Sequence, residues 1–106
     1  MAMMMTKVQE ETLRRALWRY GPAAQEVKAI EELAELQRAI CRAMNAAHTS
    51  GMNDFLAAMD NVFEEIADVE IMLEQIMMIF DDAKHEVERW KQLKLARLKG
   101  RLDGEE

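Results

Sequence analysis

Four acidic residues come in two pairs with the same internal spacing. Glu32 and Glu35 stand three apart in AIEELAELQRAI, and Glu65 and Asp68 stand three apart in NVFEEIADVEIMLEQ. On a helix, residues three apart share a side and lie one turn from each other. Like charges so placed repel unless a cation joins them. If the two helices pack antiparallel, the four carboxylates converge into an acidic box of charge −4. One divalent cation leaves about −2, and two roughly neutralise the set. All-oxygen ligation without His or Cys suits Mg²⁺ or Mn²⁺. A di-iron centre in a helical bundle pairs Glu with a His three residues later, and neither His48 nor His85 stands at that offset from the four acids. Solvated helix faces also carry acidic pairs, and spacing alone leaves both readings open.

The elements that must position these acids read as helices throughout. The spacing predicts a first helix from about Met4 to Tyr20, with Thr6 as a candidate cap. Gly21-Pro22 ends it and starts a second, from Pro22 to about Ala47. His48 to Asn53 reads as a loop by composition. Asn53 or Asp54 then caps a third helix reaching about Phe80, and Asp81 or Asp82 caps a fourth to about Lys99. The tail RLDGEE is expected to fray. The fold class is therefore all-α, about four helices in a single domain over residues 1–106.

On the second helix, Ile30, Leu33, Leu36 and Ile40 form the expected packing side. Ala39 and Ala43 lie on the strip of Glu32 and Glu35, where small residues permit close helix approach or leave room for a ligand. The third helix is apolar nearly all round. Phe55, Met59, Val62, Ile66, Val69, Leu73, Ile76, Met77 and Phe80 make one broad stripe. Leu56, Phe63, Ala67, Ile71 and Met78 form a second patch, and Met72 and Ile79 share the strip of Glu65 and Asp68. A surface helix needs only one apolar face, so this one should be central or lie at a subunit interface. So much apolar helix surface on 106 residues points to a bundle completed by oligomerisation.

Composition narrows the partners. The formal net charge of −6 argues against non-specific binding to a nucleic-acid polymer or a membrane. It also means that a polyanionic ligand needs intervening cations. Seven of the fourteen Lys and Arg fall between Lys84 and Arg101. Cys41 is the only cysteine, so no internal disulfide forms and a reducing, cytoplasmic setting is expected. The start MAMMMTK lacks a secretory signal's apolar run, and IMLEQIMMIF is too short and too charged to span a bilayer.

AIEELAEL (29–36) followed by NVFEEIADVEIMLEQ (61–75) resembles the all-α nucleoside triphosphate pyrophosphohydrolase superfamily, and most closely its short MazG-like proteins of bacteriophages and prophages. The family pattern is E-E-x-x-E on one helix and E-x-x-D on the next. Glu31, Glu32 and Glu35 match the first part, Glu65 and Asp68 the second. WRYGPAAQEVKAIEELAEL resembles the family's lead into its second helix, and KQLKLARLKGRL its last helix, so the likeness runs from about Trp18 to Leu102. The gap from Glu35 to Glu65 is longer than in the most compact relatives. That places substrate choice, rather than the metal site, in question.

The resemblance implies a MazG-like bundle assembled as a homodimer or homotetramer, and Mg²⁺-dependent hydrolysis of a (deoxy)nucleoside triphosphate to monophosphate and pyrophosphate, with Mn²⁺ as a possible substitute. Glu32, Glu35, Glu65 and Asp68 would be the metal ligands. Glu31 would be a water-orienting base, or else a solvated helix acid. Lys94 and Arg97, with Lys91 third, would hold the phosphate tail. Their other reading is the usual preference of helix C-termini for cations. Trp18 reads as a core or edge aromatic rather than a base-stacking one. Trp90 is expected to pack, Cys41 to be core, and His48 to lie in a loop near the site. The rival expectation is a non-catalytic helical interaction or regulatory module of phage origin.

Overall fold

The computed structural model describes residues 5–105. It contains four helices in the order α1 (Lys7–Tyr20), α2 (Pro22–Thr49), α3 (Met52–Ile79) and α4 (Ala83–Glu105), with no strand among the described residues. None of these helices is long and apolar enough to cross a membrane.

The helix starts follow from local chemistry. Thr6 closes a reciprocal cap on α1: its hydroxyl accepts from the Gln9 N–H at 3.1 Å, and the Gln9 side-chain oxygen accepts from the Thr6 N–H at 2.9 Å. The expected start at Met4 lies outside the described residues. Gly21 separates α1 from α2 at φ 88, a conformation natural to glycine. Pro22 then opens α2, where its missing N–H costs nothing.

The expected loop His48–Asn53 shrinks to Ser50-Gly51. Helix α2 runs on through Thr49, whose hydroxyl donates to the Asn45 carbonyl at 2.7 Å. Helix α3 begins at Met52 with Gly51 at its N-cap, so neither Asn53 nor Asp54 caps it. Packing overrides composition here, because half-buried Ala46 and Phe55 draw both helices up to the turn. After α3, Asp82 turns the chain at φ 59 and its carbonyl accepts the first α4 bond from the Glu86 N–H at 3.0 Å. Helix α4 continues through the expected frayed tail to Glu105.

The centre of the fold is the antiparallel α2–α3 hairpin. Helix α3 touches all three others, as its apolar circumference requires. Near the turn, Ala39, Ala43 and Val62 form the core with Leu36, Ala58 and Met59 around them. At the far end, Gln25 donates to Gln75, and Gln75 reaches the Leu13 carbonyl of α1 at 3.5 Å. Both glutamines are buried, so this chain of amides ties α1 across the hairpin.

The packing side of α2 differs from the expected one. Ile30, Leu33 and Ile40 are exposed, whereas Ala29, Ala39 and Ala43 are buried. Small side chains let the two backbones approach, and close approach gathers more dispersion contacts. On α3, Val62, Val69 and Met72 are buried, but Phe63, Ile66, Ile71, Leu73 and Phe80 are exposed. Cys41 is also exposed rather than core. Trp18 is 91% exposed, so it does not pack within this chain, and Trp90 is exposed too.

Ile30, Leu33, Ile40 and Met44 lie about a quarter turn from the packing stripe of α2, and Phe63, Ile66 and Leu73 about a quarter turn from that of α3, in the same rotational sense. Because the helices are antiparallel, equal rotations bring both rows to one side of the hairpin. Helix α1 covers the opposite side, where Gln75 points. The hairpin therefore has one covered flank and one open apolar flank.

Candidate metal centre

Between the alanine core and the glutamine pair, the α2–α3 seam carries acids. Glu32, Glu65 and Asp68 each present a carboxylate oxygen, and these oxygens lie within 4.8 Å of one another. All three side chains are half-buried. Their position follows from the seam: Glu32 continues the row of Ala29, Leu36 and Ala39, and Glu65 falls between Val62 and Val69. Alanine packing that draws the backbones together forces these carboxylates together as well.

Glu65 is the most constrained of the set. Its Oε2 is sealed from solvent and has no hydrogen-bond partner among the described residues. Loss of solvent raises its pKa first, followed by the negative charges of Asp68, Glu32, Glu35 and Glu64. Lys28, one turn before Glu32, supplies the compensating charge. Its ammonium lies 3.1 Å from Glu32 and 3.9 Å from Glu31. The hydrogen bond to Glu32 and the Glu32 charge raise the Lys28 pKa. Partial burial opposes them, and Glu31 and Asp68 add to them.

The other candidate residues are placed differently. Glu35 pairs with Arg38 on the outer part of α2 and is not one of the three converging acids, though its charge reaches Glu65. Glu31 is exposed beside Lys28. Lys91, Lys94 and Arg97 lie exposed along α4, which packs on α3 alone, and none of them forms an ion pair among the described residues. Lys94 and Arg97 instead line a shallow groove on α4 itself with Leu95, Leu98 and Arg101. His48 is not in a loop near the acids. It closes α2, sixteen residues and about 24 Å of helix beyond Glu32, where it lines an open apolar cavity of about 240 Å³ with Met44, Phe55 and Met59. The functional group missing from the sequence reading is Lys28; its four-residue offset from Glu32 was the available signal.

The donor set fits a hard divalent cation. Oxygens on opposite sides of a Mg²⁺ stand about 4.2 Å apart, so small side-chain rotations close the set. Glu32, Glu65, Asp68 and Lys28 together carry a charge of about −2 when ionised, which one divalent ion balances. Such an ion would also satisfy the orphaned Glu65 oxygen. No family model, no curated protein and no solved structure matches this chain.

Proposed function

We propose that this chain is a divalent-cation-dependent hydrolase of the MazG-like kind, acting on a (deoxy)nucleoside triphosphate. The observation that carries the reading is the convergence of Glu32, Glu65 and Asp68 around an unpartnered carboxylate oxygen. These three residues would hold Mg²⁺, or Mn²⁺ in its place, and Glu35 would be a fourth ligand if it were released from Arg38. The bound ion would supply positive charge for gripping phosphate oxygens and for offsetting the charge that builds at the α-phosphorus. Water adds to that phosphorus, the α–β anhydride bond breaks, and pyrophosphate leaves. Glu31, exposed beside Lys28, is the acid we assign to accept the proton that water loses. Lys28, no longer needed as the counter-charge of Glu32, is left on the rim to meet a phosphate oxygen. Lys94, Arg97 and Lys91 remain candidates for the phosphate tail, and their part depends on where α4 docks. We place the working protein in the cytoplasm as a homo-oligomer.

The test is pyrophosphate release from a panel of deoxynucleoside and ribonucleoside triphosphates, with and without Mg²⁺ or Mn²⁺. Metal-dependent release that Glu65→Gln abolishes supports the reading. Silence across the panel, together with no binding of either cation, sinks it. That result would leave the second reading, a non-catalytic helical interaction module, which the open apolar flank of the hairpin favours.

A further inference from the structure

We infer that α4 is an exchange arm, which packs on the body of a second copy of this chain. The inference does not depend on the nucleotide reading. It begins from a helix with little to rest on. From Lys84 onward every described residue of α4 is exposed, and the helix touches only α3. Its own local contacts are few: Arg89 with Glu86, Arg89 over Trp90 at 4.9 Å, and Lys99 with Asp103 at 2.6 Å. Each such exposed pair contributes only about 0.3–0.5 kcal/mol. Most of the stability of a protein helix comes from packing one face against a neighbour, and among the described residues the chain offers α4 only a short contact with α3.

Apolar and basic side chains are intermixed around the arm, which has no separate apolar face. Val87, Trp90, Leu98 and Leu102 share one side of α4 with Lys91, Lys94 and Arg101. A surface that mixes apolar and basic side chains matches one that mixes apolar and acidic ones. Residues 1–82 carry fifteen acids against seven Lys and Arg, and residues 83–105 carry seven Lys and Arg against four acids. The body is thus at −8 and the arm at +3. A second copy presents the opposite charge together with the open apolar flank of its hairpin.

Area argues for the same occupant. The chain exposes 8790 Å², whereas a compact monomer of this mass exposes about 6,100 Å². The Cα radius of gyration is 17.3 Å, against about 13 Å for a compact chain of this length. The excess of roughly 2,700 Å² per chain is on the scale of an obligate homodimer interface, not a transient contact. Lys84 pairs at 2.9 Å with Glu74, which stands on the side of α3 turned away from its buried stripe, so the arm starts outside the α2–α3 seam. Docking of two hairpin flanks about a twofold axis would set each arm beside the other body, a closed and isologous arrangement.

The experiment is sedimentation of the full chain from high to low micromolar concentration, with Trp90 emission followed in a Trp18→Phe background. The expected result is an oligomer whose Trp90 emission shifts to the red on dilution, with α4 amides losing hydrogen-exchange protection in step. Leu98→Glu with Leu102→Glu should weaken association at least about thirtyfold. Helices α1–α3 stay intact, since neither side chain packs within the chain. A monomer across the range overturns the inference. So does an oligomer that Ile40→Glu dissociates while the Leu98 and Leu102 changes leave its mass and Trp90 emission unaltered. A monomer whose α4 gains protection on phosphatidylserine vesicles overturns it in favour of a membrane surface. None of these readouts uses catalysis, so failure of the pyrophosphate assay leaves them standing.

Discussion

The α2–α3 seam does two different things within a few turns. Near the connecting turn, Ala39, Ala43 and Val62 make a dry contact. Two turns away the same helical rows carry Glu32, Glu65 and Asp68. The register is continuous across both regions, down to Gln25 against Gln75. The difference teaches that the first region sets the second. Alanines fix a short interaxial distance, and that distance makes three repelling carboxylates share one small volume. Without them, the acids would spread into solvent and the unpartnered Glu65 oxygen would find water.

The largest effect is therefore expected from the dry region. Ala39→Leu inserts bulk where the residue is 1% exposed. Overpacking of this kind costs about 1–3 kcal/mol or more, measurable by urea denaturation. It should also weaken Mg²⁺ binding by pushing the helices apart, although no ligand is touched. Retention of full metal affinity in a destabilised Ala39→Leu protein would uncouple the two regions.

Glu65→Gln probes the acidic region in the opposite sense. Removal of one repelling charge should raise the melting temperature of the metal-free protein and abolish Mg²⁺ binding by calorimetry. A solvated acid would give neither change. The pH dependence has the same origin. The Glu65 pKa is raised in the folded chain, so the folded state binds a proton more readily than the unfolded one. Metal-free stability should therefore increase as pH falls from neutral through the raised Glu65 titration toward the ordinary carboxylate range. Mg²⁺ affinity should fall over the same window, because proton and ion compete for Glu65 in the presence of Asp68, Glu32, Glu35, Glu64 and Lys28. Glu65→Gln should flatten both trends in urea melts and titrations recorded across that range.

Lys28→Met should produce a smaller and more specific change. Loss of the tethered ammonium destabilises the metal-free cluster slightly, while Mg²⁺ binding tightens severalfold because a competing cation is gone. Weaker Mg²⁺ binding in this variant would contradict the counter-charge role. Glu31→Gln should be the least disruptive for binding, with Mg²⁺ affinity changed by less than about twofold. If Glu31 accepts the water's proton, its loss appears in turnover alone.

Several parts of this picture were legible in the chain itself. The Thr6 cap, the Gly21-Pro22 break and the long uninterrupted runs mark helix limits, because capping and backbone restriction act over a few residues. The paired spacing singled out four acids, Glu32, Glu35, Glu65 and Asp68; three of them present oxygens within 4.8 Å of one another, and Glu35 turns to Arg38 instead. The turn residues misled: His48, Thr49 and Asn53 are loop formers by habit, but half-buried Ala46 and Phe55 carried the helices through them.

Which flank each helix buries was a tertiary decision. Helix α2 offers an alanine row and an isoleucine–leucine row about a quarter turn apart, and hydrophobicity alone favours the second. Only the facing surface of α3, which accepts a close backbone, selects the first. The same choice seals the Glu65 oxygen, turns Glu35 out to Arg38 and leaves Ile30, Leu33 and Ile40 uncovered. Periodicity specifies rows along one helix, but burial depends on the distance between two, and that distance exists only once they have packed.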